Sequence, residues 1–160
     1  MVPAIPDAIV VPTPILTPTP IPTISLAAVF TPDHSWVGTL PSDKTITVVA
    51  TGDVMPARTV NDQMVKRHDF RWPFEKTADV LSSADVAVIN LETPLLTDCT
   101  PTNQGMIFCG DARAVEGLVF AGVDVATLGN NHVGNYFQEG VEETKTILTN
   151  AGILPVAEGI

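Results

Sequence analysis

Three stretches of the chain share one layout, an apolar run that ends in polar side chains. Residues 45–50 (Thr-Ile-Thr-Val-Val-Ala) run into Thr51-Gly52-Asp53, and residues 85–89 (Asp-Val-Ala-Val-Ile) run into Asn90-Leu91-Glu92. Residues 123–128 run into Gly129-Asn130-Asn131-His132. The first run, β-branched and apolar on both faces, reads as a central parallel strand over 45–51; the others read as strands over 86–89 and from 123 onward. Between them, apolar positions recur at helical spacing. Ala57, Val60, Met64 and Val65 form one stripe after Pro56. Pro73 is placed to open a second helix with Phe74, Ala78 and Leu81 inward. Asp111 caps a third, with Val115, Leu118 and Val119 inward and Gly122 as its stop. A fourth covers 138–151, with Glu139, Glu142 and Glu143 near its positive end and Gly152 closing it; a short strand follows at 153–156. Residues 93–110 read as a long loop.

The order β-α-α-β-α-β-α-β, with short connections, predicts an α/β fold around a mainly parallel sheet. Asp85-Val86-Ala87 and Asp124-Val125-Ala126 form a faint repeat. It reads as shared strand chemistry rather than duplication. In open α/β sheets the C-terminal strand edge is where sites are built, and all three polar endings fall on that edge.

Composition changes the picture first at the N-terminus. Nine of the 14 prolines lie at or before Pro41, and residues 11–23 are a Thr/Pro low-complexity run. Such density favours extended polyproline II and predicts a disordered linker or stalk over residues 1–41, ahead of a domain over 42–160. Thr/Pro stalks are typical of exported, surface-held proteins; an uninformative tail is the alternative. Trp36 and Leu40 are placed to begin packing on the domain, and His34 is assigned no role. Residues 1–30 carry no Lys or Arg, so the positive start of a secretory signal is missing, and the apolar piece 24–30 is too short to span a bilayer. The expectation is an exported protein whose anchor lies outside this chain.

The formal net charge is −10, with no basic run, which argues against nucleic acid and against an anionic membrane surface. Cys99 and Cys109 have no zinc-type spacing. In an exported protein they close a loop as a disulfide; in the cytosol they stay two thiols.

The strand ends carry the candidate chemistry. Asp53 and Glu92 are hard oxygen donors, Asn131 offers a carbonyl oxygen and His132 an imidazole. This mixed set suits divalent ions of the Mn, Fe, Zn or Mg class, and a bridging carboxylate could serve two of them. His132 is placed to protonate a leaving oxygen. Each residue also has a plain reading. Asp after Gly is often a turn former or cap, Asn90 a turn residue, and a lone His structural. The three endings together on one sheet edge favour a site. Arg58 stands near Asp53, either to meet an anion or to pair with a carboxylate. His68, among Lys66, Arg67, Asp69 and Arg71, reads as a solvated helix end. There is no Gly-x-Ser-x-Gly, Gly-x-Gly-x-x-Gly or Walker-type loop, so a serine nucleophile or a nucleotide cofactor lacks its usual cradle.

The series Val49-Ala50-Thr51-Gly52-Asp53-Val54-Met55, then Val88-Ile89-Asn90-Leu91-Glu92-Thr93-Pro94-Leu95, then Gly129-Asn130-Asn131-His132 resembles the bacterial poly-γ-glutamate capsule synthesis protein family, CapA. The resemblance covers about residues 45–160. It implies kinship with calcineurin-like metallophosphoesterases and a four-layer α/β/β/α sandwich, of which this chain carries the N-terminal half. It further implies Asp53, Glu92 and Asn131 as metal ligands, His132 as the catalytic imidazole, and Asn90 and Asn130 as supports. Two divalent ions are implied in the complete domain. Implied partners are a capsular polymer or phosphoester-type substrate and other capsule-synthesis membrane proteins, at the cell surface. An enzyme is one reading; a polymer-binding scaffold with a degenerate site is the other. The chain departs from the pattern at two places. The Asp-x-His opening of ordinary phosphoesterases appears as Asp53-Val54-Met55, so one imidazole ligand is missing, and the family's Asp-Tyr-Gly after the histidine appears as Asn135-Tyr136-Phe137. Further histidine ligands of the family are expected beyond Ile160.

Overall fold

The computed structural model describes residues 46–156. The expected 1–41 segment, with His34, Trp36 and Leu40, lies outside them. The strands are β1 (Val48–Val54), β2 (Val86–Leu91), β3 (Leu95–Leu96), β4 (Gly110–Asp111), β5 (Val125–Thr127) and β6 (Leu154–Val156). The helices are α1 (Arg58–Arg67), α2 (Ala78–Ser82), α3 (Val115–Phe120) and α4 (Phe137–Asn150). Strands β1-β2-β5-β6, in that order, make a four-stranded sheet in which every pairing is parallel. The α/β class with a mainly parallel sheet is therefore correct.

Alternation along β2 sets the layering. Ala87, Ile89 and Leu91 are buried, while Val86, Val88 and Asn90 are half-buried. The buried set belongs to one apolar cluster to which Met64 of α1, Leu81 of α2, Leu118 of α3 and Leu148 of α4 also contribute. Burying a side chain of this size stabilises by about 1.5–3 kcal/mol. No helix among the described residues is long and apolar enough to cross a membrane.

The repeat noted above has a structural cause. Asp85 Oδ2 accepts a hydrogen bond from the Thr47 backbone N–H at 2.7 Å, and Asp124 Oδ2 accepts one from Ala87 N–H at 2.8 Å. Each aspartate thus ties the entrance of its own strand to the strand beside it.

Several expectations need correction. β1 begins and ends three residues later than 45–51, and it is an edge strand, largely exposed, with only Val49 and Val54 packed on the core. β-Branched composition reports strand propensity, not position within the sheet. Pro73 opens a short 3₁₀ turn, Trp72–Phe74, and the helix proper begins at Ala78. Of the expected inward face of α3, Leu118 is buried and Val115 packs on the core, but Val119 is 51% exposed; Gly117 and Ala121 complete the buried face. Gly117 is required there because an added Cβ would lie 2.3 Å from the Phe70 carbonyl oxygen. The long loop contains two short strands. β3 and β4 pair in parallel, Leu95 with Gly110 and Leu96 with Asp111, so both ends of the segment between them meet. Asp111 does cap its turn, accepting from Arg113 N–H at 2.9 Å, and Gly122 follows α3 at φ +75° as a left-handed stop.

Candidate active site

The bottom of the site is a net of carboxamides. β1 and β2 are in register with Asp53 opposite Asn90. Asn90 Nδ2 donates to Asp53 Oδ1 at 2.7 Å. Asn90 Oδ1 accepts from Thr127 Oγ1 at 3.2 Å and from Asn130 Nδ2 at 3.1 Å. Asn130 Nδ2 also donates to the Leu91 carbonyl at 2.9 Å, while its Oδ1 accepts the backbone N–H groups of His132 and Val133, both at 3.0 Å. Both positions need a group that donates and accepts at once, which a carboxamide does and a carboxylate does not. The net joins the ends of β1, β2 and β5 and starts the 3₁₀ turn Val133–Tyr136.

Above the net lies a cavity of about 410 Å³ lined by Asp53, Met55, Arg58, Glu92, Met106, Phe108 and His132. Asp53 and Glu92 both line this cavity. The Glu92 and Asn90 hydrogen bonds hold the Asp53 carboxyl below the usual carboxylate range. The same Asp53 contact, then desolvation, then the Asp53 charge push the Glu92 carboxyl up, with His132 pulling the other way. Two carboxyls driven apart in this sense do not ionise independently. His132 is buried; its Nε2 lies 3.8 Å from Glu92 Oε1 and its ring stacks on Phe108 with centroids 4.5 Å apart.

Arg58 begins α1 at φ +55°. Its Nη1 donates to the Gly105 carbonyl and its Nη2 to the Asn103 carbonyl at 3.0 Å, while its guanidinium lies 5.5 Å from the Phe108 ring centroid. It therefore holds the loop between β3 and β4 rather than pairing with a carboxylate, and it still faces the cavity. Cys99 and Cys109 form a disulfide that closes this loop.

Asp53, Glu92, His132 and Arg58 come together on one cavity, and Asn90 and Asn130 lie beneath it. Asn131 does not join them: it is exposed and is not among the lining residues. His68 is exposed, in the left-handed conformation that ends α1, as a solvated helix end should be. Sequence reasoning gave no role to Phe108 and Met106, the walls of the cavity. Phe108 stands next to Cys109, and that adjacency was the available signal. Among the described residues no three or more His, Cys, Asp or Glu side chains form a group arranged to hold a metal.

Residues 47–159 match the family described as Bacterial capsule synthesis protein PGA_cap. Among curated proteins, the chain is 32% identical over 113 residues to a probable polyglutamine synthesis accessory protein of Mycobacterium tuberculosis (strain CDC 1551 / Oshkosh). It is equally similar to the counterpart in strain ATCC 25618 / H37Rv. The matched region is 69% of this chain and 30% of each relative, so the chain spans under a third of their length. With the family matched over most of its length and the three strand-end motifs converging on one sheet edge, the chain belongs to the bacterial capsule synthesis protein PGA_cap family.

Proposed function

We propose that the cavity is the chain's share of a metal-dependent hydrolytic site acting on a phosphoester or amide linkage during capsule polymer processing. The observation that carries this reading is the Asp53–Glu92 carboxyl pair beside the buried His132. Two adjacent carboxyls that resist ionising together are the donor chemistry a hard divalent cation relieves. The pair would hold such an ion, with the remaining ligands drawn from polypeptide outside the described residues. A divalent ion, when bound, supplies Lewis acidity and a hydroxide at neutral pH. The chain's own residues do the rest. Asn90 fixes Asp53, Arg58 presents positive charge to an anionic substrate group, the buried Phe108 backs the His132 ring, and the His132 imidazole donates toward a leaving oxygen.

The family description and the relatives' printed names support an accessory role in making a capsular polymer; membrane-bound synthesis proteins as partners are part of the proposal. The disulfide and the Thr/Pro segment support export, with the protein held at the cell surface.

The test uses the protein extended to the length of its relatives. Titration calorimetry with Mn²⁺ is expected to show binding that Asp53→Asn and Glu92→Gln each weaken by more than the roughly 10–100-fold typical of outer-sphere changes. Unchanged affinity sinks the site. A non-enzymatic scaffold is the second reading, favoured by the absence of a three-ligand group among the described residues. A folded long form without metal or turnover would support it, although a net charge of −10 disfavours direct contact with a polyanion.

A further inference from the structure

His132 has one polar neighbour at each ring nitrogen. Nδ1 lies 3.3 Å from Asn135 Nδ2, and Nε2 lies 3.8 Å from Glu92 Oε1. The orientation of the Asn135 amide follows from its other contacts. Its Nδ2 donates to the Met106 carbonyl at 3.1 Å and reaches the Phe108 carbonyl at 3.5 Å. Carbonyl oxygens only accept. With the amide turned over, its Oδ1 would face both of them and neither would have a donor. The amide nitrogen therefore faces the ring; with one N–H on the Met106 carbonyl, the second falls between Nδ1 at 3.3 Å and the Phe108 carbonyl at 3.5 Å, and a donor at that place calls for a lone pair on Nδ1.

We infer that Asn135 is a positioning residue that holds His132 in the tautomer with its proton on Nε2. The imidazole then shows the cavity a hydrogen-bond donor and not a lone pair. In that state Nε2 cannot ligate a metal and cannot accept a proton; it presents its N–H toward the Glu92 carboxylate, 3.8 Å away, and is free to donate to an anionic substrate oxygen. Asn135 also joins the imidazole to the disulfide-closed loop, since the carbonyls it serves belong to residues 106 and 108. The donor role in catalysis rests on the hydrolytic reading above; the tautomer does not.

The experiment is a long-range ¹H–¹⁵N correlation spectrum of the full chain, with His132 assigned through His132→Gln. Nε2, the nitrogen coupled strongly to both ring C–H protons, is expected to be pyrrole-type and Nδ1 pyridine-type. A pyrrole-type Nδ1 overturns the proposal. Asn135→Asp places an acceptor where the donor was and is expected to move the proton to Nδ1; a folded Asn135→Asp protein with the tautomer unchanged also overturns it. Should that variant not fold, Asn135→Ala serves: loss of the donated hydrogen bond is expected to shift the Nδ1 resonance toward its unbonded value, and an unmoved resonance counts against the proposal. Loss of the hydrolytic reading, through absent metal binding or turnover in the long form, leaves these spectra unaffected, so the two failures are distinguishable.

Discussion

Phe137 holds a backbone conformation that side chains rarely adopt, φ +57° with ψ −164°, and its ring is 79% exposed. That region is essentially reserved for glycine and costs of order 1–3 kcal/mol for other residues. The position is the one at which the resembling family carries Gly after Asp-Tyr. Phe137→Gly removes the strain and gives up almost no buried surface, so it is expected to raise stability by about 1 kcal/mol, read as a higher midpoint in urea. At this scale the sequence was readable for donors and less so for geometry. Asp53, Glu92 and His132, for which nothing in strand packing asks, do line one cavity. Asn131 looked the same in the sequence but points to solvent, because Asn130 uses its oxygen to turn the chain and leaves its neighbour outside.

Short elements here depend on their ends. α3 has six residues, too few to persist by propensity alone, and it is entered through the turn that Asp111 caps. The Arg113 side chain, hydrogen-bonded to Asp111 at 2.9 and 2.7 Å, holds the Asp111 carboxyl below its ordinary value. A depressed carboxyl contributes stability that is full above the unfolded value of 3.8 and is lost as pH falls through the folded one. Asp111→Asn is therefore expected to flatten the acid limb of a stability-versus-pH curve, and Asp111→Ala to cost about 1 kcal/mol at neutral pH through the lost cap, both measured by urea unfolding. Helix stops at Gly122 and Gly152 could be read directly, since both are at positive φ. The inward face of α3 was read in part, Leu118 and Val115 correctly and Val119 not, and Gly117 was missed because it carries no hydrophobic signal and only its close approach to Phe70 reveals its place.

For the whole described region, the α/β class and the parallel pairing of the strands followed from the alternation of apolar runs and helical stripes. The edge position of β1 did not, since an edge strand and a central one can share the same residues. The loop between β3 and β4 was legible only through its cysteines. The carboxylate ties at the strand entrances bear on how the sheet is aligned. Strands as apolar as β2 and β5 can slide by two residues without exchanging faces, so hydrophobic burial alone is a poor ruler of their alignment. A two-residue slide moves one strand past the next by about 6.6 Å, enough to part Asn90 from Thr127 and Asn130. Asp124, fastened to the Ala87 N–H, acts as the pawl that stops such a slide, and Asp85 does the same one strand over. Asp124→Ala is accordingly expected to lose cross-strand nuclear Overhauser effects between residues 90 and 127 while its melting midpoint falls by only a few degrees. Alignment of the edge that carries the cavity is thus set at the opposite rim of the sheet.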